Sequence, residues 1–116
     1  MRNEAVSLQT IAPPADFDGM AAKAKEASDL LKALAHESRL MILCLLCEGE
    51  KSVTEIERTL GLRQPTVSQQ LARLRADGLV AARRDGKAIH YRIASENARI
   101  IIGAVHEVFC RERANR

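Results

Sequence analysis

The chain has 116 residues, 47% of them hydrophobic but only 3% aromatic, with no Trp. That length allows one domain with a modest core, and a core of Ala, Leu, Ile and Val suits helices. No apolar run is long enough to cross a bilayer, and "MRNEAVSLQTIAPP" lacks a signal-peptide core, so a cytoplasmic, non-membrane protein is expected.

Three cysteines, an odd number, fit a reducing compartment better than a disulfide framework. The net charge of +3 is unevenly spread. Residues 1–60 are net −3, whereas Arg63, Arg73, Arg75, Arg83, Arg84, Lys87 and Arg92 face only Asp77 and Asp85 within residues 61–92. A basic patch so confined suits a polyanion, most often nucleic acid, although a solvated charged face has the same composition.

Residues 1–15 read as a flexible arm ended by Pro13-Pro14, and residues 16–116 as the domain proper. From Asp16 an Ala-rich amphipathic helix places Met20, Ala24, Ala27, Leu31 and Leu34 on one stripe. "HESRLMILCLLCEG" predicts a second helix, apolar nearly all round from Leu40 to Cys47 and therefore central. "SVTEIERTLG" follows, with Ser52 and Glu55 spaced as a capping box, Val53, Ile56 and Leu60 inward, and Gly61 as the stop. In "PTVSQQLARLRADG", Pro65 takes the first helical position, Val67, Leu71 and Leu74 form the core stripe, and Gly78 ends the helix. "LVAARRDGKAIHYRI" switches to strand character around Asp85-Gly86, a dipeptide suited to a type I′ hairpin turn. The closing helix is capped by Ser95. Its Ile100-Ile101-Ile102 run covers too wide an arc for one buried stripe, which predicts a homodimer.

Two short helices, a tight turn and a polar second helix have helix-turn-helix proportions. Gln64, Thr66, Ser68, Gln69 and Arg73 are the candidate DNA-reading residues. Gln can bond an adenine edge in bidentate fashion, Arg a guanine edge, and hydroxyls suit bases or phosphates. A polar helix that simply faced water would more often carry Glu and Lys. Arg83, Arg84 and Lys87, near the hairpin tip, complete the candidate surface as a backbone-touching wing. The fold expected is mainly α with a small β-hairpin: a homodimeric winged helix-turn-helix of order α-α-α-α-β-β-α.

"QPTVSQQLARLRADGLVAARRDGKAIHYRI" resembles the recognition helix and wing of the ArsR/SmtB family of winged-helix repressors, and "LKALAHESRLMILCLL" resembles that family's preceding helices. The likeness covers residues 26–110. It implies an obligate dimer, paired through its first and last helices, on an imperfect palindrome of double-stranded DNA. An inducer then releases it. Metal-sensing members often carry Cys-x-Cys at the start of the recognition helix region, but "RTLGLRQPT" has no cysteine. Others place His-x-x-His or His-x-x-Glu on the last helix. Here His106 and Glu107 are adjacent, about 100° apart, so neither metal pattern is present and no cofactor is expected. His36 and His106 read as surface or packing residues, and His90, beside Tyr91 in the wing, as structural or phosphate-facing.

Cys44-x-x-Cys47 alone is a weak motif, and a buried cysteine is often only a small hydrophobe. One branch of the family, responsive to persulfide and other reactive sulfur species, sets a cysteine on the second helix shortly before an EGE-like turn and another in a closing "FC". Cys44 and Cys110 match both contexts, while Cys47 stands where that branch usually has an aliphatic residue. The resemblance implies release from DNA when Cys44 and Cys110 are linked by a disulfide or polysulfide bridge. Three alternatives stay open: an arsenite or soft-metal sensor using Cys44, Cys47 and Cys110, a peroxide switch, and, in a different class, a thiol-disulfide oxidoreductase.

Overall fold

The computed structural model describes residues 17–114 and the side-chain surroundings of residues 19–109. The expected arm, residues 1–15, and the side chain of Cys110 lie outside the described residues. Two compact units divide at Leu31/Lys32, inside the first helix. In the first unit the described part belongs to α1 (Phe17–Leu34), an Ala- and Lys-rich helix carrying an exposed Lys25–Asp29 ion pair one turn apart, at 3.2 Å.

The second unit is built around α2 (Glu37–Leu46), which buries Ile42, Leu43, Leu45 and Leu46. The helix ends one residue before Cys47, which is its C-cap, so the thiol pair straddles the helix end instead of lying in mid-helix. A turn through Gly49, at φ +140°, then reverses the chain; a side chain there would be strained.

The turn leads into β1 (Lys51–Ser52), a strand that hydropathy alone does not reveal because two residues carry no alternation. It makes the sheet three-stranded, where a two-stranded hairpin was expected. Next come α3 (Val53–Leu60) and α4 (Gln64–Ala76), joined through Gly61 in the left-handed conformation at φ 66°. The capping box is present: Glu55 N–H donates to Ser52 Oγ at 3.1 Å, and Ser52 N–H donates to Glu55 Oε1 at 2.8 Å. Helix α4 begins at Gln64, so Pro65 takes the second helical position, not the first. At its far end Leu79 N–H reaches Leu74 O and Gly78 N–H reaches Arg75 O, with Gly78 at φ 76°, which together form a Schellman stop.

Strands β2 (Val80–Asp85) and β3 (Ala88–Ile93) pair antiparallel from Val80↔Ile93 to Asp85↔Ala88, and β1 joins the far side of β3, giving the order β1-β3-β2. The loop is therefore Gly86-Lys87, one residue later than expected. Only Gly86 has positive φ, the sign pattern of a type II′ rather than a type I′ turn. Helix α5 (Glu96–Ala114) closes the unit. Its start is capped as expected, with Ala98 N–H donating to Ser95 Oγ at 3.1 Å.

Ile56, Val67, Leu71, Leu74, Ala98 and Ile102 pack with the α2 side chains into an aliphatic core, while Val53 and Leu60 are only half-buried. No polar side chain is buried among the described residues. The Ile100–Ile102 run splits by face: Ile102 is 0% exposed, Ile101 half-buried and Ile100 61% exposed. Among the described residues no helix is long and apolar enough to cross a membrane.

The Ser52 hydroxyl satisfies an orphan donor at the start of α3, so Ser52→Ala should lower unfolding stability by about 1 kcal/mol. A urea titration reads this as a lower midpoint at unchanged slope. Hydrogen bonds from Ser52 also hold the Glu55 carboxyl below the usual carboxylate range. Its share of the stability is present above the unfolded-state pKa and is lost as pH falls through the depressed folded value.

Candidate nucleic-acid interface and thiol helix

Helix α4 divides sharply by face. Val67, Leu71 and Leu74 are buried, and Ser68, Gln69, Ala72 and Arg73 are exposed. Gln69 and Arg73, one turn apart, form the outer ridge with half-buried Thr66 at its edge. Gln64 and Ser68 occupy the flank, where Gln64 Nε2 donates to Ser68 Oγ at 2.5 Å. That flank lines a cleft shared with Ser52, Thr54, Lys87 and Tyr91, so helix and wing form one concave surface.

Gln70, beside Gln69, has a different task. Its Oε1 accepts from Arg39 Nη1 at 3.1 Å, while Arg39 Nε donates to Ala33 O at 2.7 Å. Arg39 thus ties the outgoing end of α1, the body of α2 and the reading helix together. Nothing in the sequence distinguishes Gln70 from Gln69 except its place between the stripe and the ridge.

The candidate cations are not equivalent. Arg73 lies 3.5 Å from Asp77 on its own helix. Arg83, expected to face DNA, is turned onto Glu50: its Nε donates to Oε1 at 2.9 Å and Oε2 at 3.0 Å, and Nη2 lies 2.7 Å from Oε1. The Arg83 hydrogen bond holds the Glu50 carboxyl below the usual range and in turn raises the Arg83 guanidinium. Arg84 and Lys87 are exposed and make no ion pair among the described residues. Arg63, exposed at the N-cap of α4, belongs beside them. Its charge was visible in the sequence, but its place at the helix entrance was not.

Cys44 and Cys47 are half-buried, and the Cys47 N–H donates to Cys44 O at 3.2 Å. Burial pushes the Cys47 thiol above the ordinary thiol range, with the nearby Arg99 charge opposing only in part. Helix α2 packs against both α4 and α5. Any constraint placed at Cys44 therefore acts on the support of the reading helix. Among the described residues no three His, Cys, Asp or Glu converge as a metal site. His36 and His106 are exposed and His90 is half-buried.

A helix-turn-helix, a polar outer ridge and a three-stranded wing with exposed cations define a winged helix-turn-helix DNA-binding regulator. A family model described as bacterial regulatory protein, arsR family, matches residues 36–82. The chain is 48% identical over 96 residues to the biofilm growth-associated repressor of Agrobacterium fabrum, covering 83% of this chain and 82% of that one. Reduced HlyU from Vibrio cholerae N16961 superposes with a TM-score of 0.76 at 40% identity, over 79% of this chain and 97% of that one. A homodimeric winged helix-turn-helix DNA-binding domain from Mycobacterium bovis gives 0.67 at 36% identity, over 85% and 92%. The chain belongs to the arsR family of bacterial regulatory proteins, and it is a transcriptional regulator, not an enzyme.

The raised Cys47 thiol has a kinetic consequence, because the thiolate is the reactive form. In a Cys44→Ser, Cys110→Ser background, iodoacetamide should label Cys47 slowly at pH 7. Its rate should keep climbing past the pH at which an ordinary thiol levels off. A plateau at or below the ordinary thiol range would show Cys47 to be solvated.

Proposed function

We propose that this chain is a homodimeric DNA-binding repressor that binds an imperfect palindromic operator and leaves it when reactive sulfur links Cys44 to Cys110. Gln69 and Arg73 read base edges from α4, assisted by Thr66, Gln64 and Ser68, while Arg63, Arg84 and Lys87 hold phosphates. The observation that carries the switch is the position of α2: it bears Cys44 near one end and packs against both α4 and α5, the helix that carries Cys110.

The chemistry balances with a persulfide as oxidant. One protein thiolate takes the outer sulfur of the persulfide and expels a thiol. The second thiolate then attacks the inner sulfur of the resulting protein persulfide and expels hydrogen sulfide, leaving a disulfide. Further sulfur transfer before closure gives a longer bridge. Joining α2 to α5 changes the pose of α4, and paired reading helices must meet grooves about 34 Å apart. A small tilt is therefore enough. A coupling of roughly 1–3 kcal/mol suffices for release.

The dimer reading rests on exposed apolar side chains of α5, Ile100, Val108 and Phe109, which one small domain leaves uncovered. It is supported by the homodimeric relative from Mycobacterium bovis. The thiol reading is supported by the contexts of Cys44 and Cys110 and by the raised Cys47, which suits a bystander.

Gel shifts on single variants test the switch. Cys44→Ser and Cys110→Ser should each bind the operator but no longer leave it with a persulfide donor. Cys47→Ser should remain inducible, and mass spectrometry of the treated parent should find a Cys44–Cys110 cross-linked peptide. Normal release of Cys110→Ser by the donor would end the linking mechanism. Loss of response in Cys47→Ser would point instead to a three-thiolate site.

The Ile100–Ile102 run does not by itself say which residue faces the partner; burial of Ile102 and exposure of Ile100 put the test at Ile100. Ile100→Glu should sediment as a folded monomer at micromolar concentration and lose operator binding. Ile102→Glu should instead unfold the domain, because it places a charge in a fully buried site.

A further inference from the structure

Strand order puts β3 between β1 and β2, so the chain leading into β1 is two strands away from Arg83. Glu50, the residue just before β1, spans that gap. Both its carboxylate oxygens accept from Arg83 Nε, at 2.9 and 3.0 Å, and Arg83 Nη2 lies 2.7 Å from Oε1, so the contact is a charge-assisted hydrogen bond as well as an ion pair. Glu50 is itself held close to α2, since only Cys47, Glu48 and Gly49 separate it from the helix end. Asp85 adds a weak contact to Arg83 at 4.0 Å. Arg84, the next residue along β2, points to solvent with no ion pair among the described residues.

We propose that Arg83 is a positioning residue and not a DNA contact, and that the Glu50–Arg83 clasp sets the pose of the wing against the end of α2. The inference rests on the DNA-binding reading above. It reverses the ordinary rule for charges near DNA. An acid beside a polyanion-binding surface normally weakens binding, so deleting it would be expected to help. Here the acid is required, because without it the outer part of β2, otherwise held through β3 and α4, loses its side-chain link to the segment leaving α2.

The test uses the full-length chain on its operator across a salt titration. Glu50→Ala should bind about fivefold more weakly or worse, the low end of coupling between linked sites. Arg83→Ala should weaken binding similarly while leaving the slope of log K against log salt unchanged, since its charge is already neutralised. Arg84→Ala should flatten that slope by roughly one unit per wing, as loss of a true phosphate contact does. Exchanging the charges, Glu50→Arg with Arg83→Glu, should restore most of the affinity lost in Arg83→Glu alone. Tighter binding by Glu50→Ala, a slope change in Arg83→Ala equal to that of Arg84→Ala, or no recovery in the exchange would each overturn the proposal.

A readout without DNA separates this inference from the regulatory one. Amide hydrogen exchange over residues 82–91 should speed up in Glu50→Ala and return toward the parent rate in the exchanged pair. Unchanged exchange would overturn the clasp even if the parent regulates as proposed. Faster exchange in Glu50→Ala, with a parent that binds no operator, would sink the regulatory reading and leave the clasp standing.

Discussion

The burial of four side chains on consecutive turns of helix α2 is the constraint from which the arrangement of the rest follows. Ile42, Leu43 and Leu46 are at most 1% exposed and Leu45 is 8% exposed, so side chains from several elements must cover that face of the helix, while Leu40, Met41 and Cys44 stay half-buried. Helices α3, α4 and α5 and strand β3 all pack on it. Four such side chains at roughly 1.5–3 kcal/mol each approach the whole folding free energy of a domain, about 5–15 kcal/mol. Helix α2 cannot come loose while the domain stays folded. Helix α4 rests on it, so the position of the one is coupled to the position of the other.

Local signals were legible in the sequence because their physics is local. The Ser52–Glu55 box, the Gly61 and Gly78 stops and the Val67-Leu71-Leu74 stripe each depend on residues within one or two turns of each other. The polar ridge of α4 was legible for the same reason. Pairings across long sequence separation were not. Strand β1 exists only because β3 lies beside it, and two residues carry no periodicity of their own. The hairpin loop was displaced by one residue because Asp85 pairs with Ala88, leaving Gly86 to take the positive dihedral alone. The isoleucine run gave the dimer argument but not the facing residue, since three consecutive helical positions sweep about 200°.

Charge counts mislead where partners are distant. Arg83 looked like its neighbour Arg84 in a basic stretch, but Glu50 lies 33 residues away and leaves no mark on local composition. Once Arg73 and Arg83 are assigned their carboxylates, the cations of the candidate surface that make no ion pair among the described residues are Arg63, Arg84 and Lys87. On the proposed reading, such a surface would hold phosphates at a few points instead of through a broad field, and discrimination among sequences would fall more heavily on the outer ridge of α4 than on bulk attraction.

The core, with no buried polar side chain among the described residues, has a consequence for how this chain can change over generations. Aliphatic side chains of similar volume replace one another at a cost usually below about 1.5 kcal/mol, so the interior can drift by single steps. The directional contacts sit at the half-exposed seams instead, where Arg39 joins Gln70 and the Ala33 carbonyl. There a single replacement leaves a partner unmatched, and two positions have to move together. Along those seams a change at one position therefore calls for a matching change at its partner, whereas each core position asks only for an apolar side chain of similar volume.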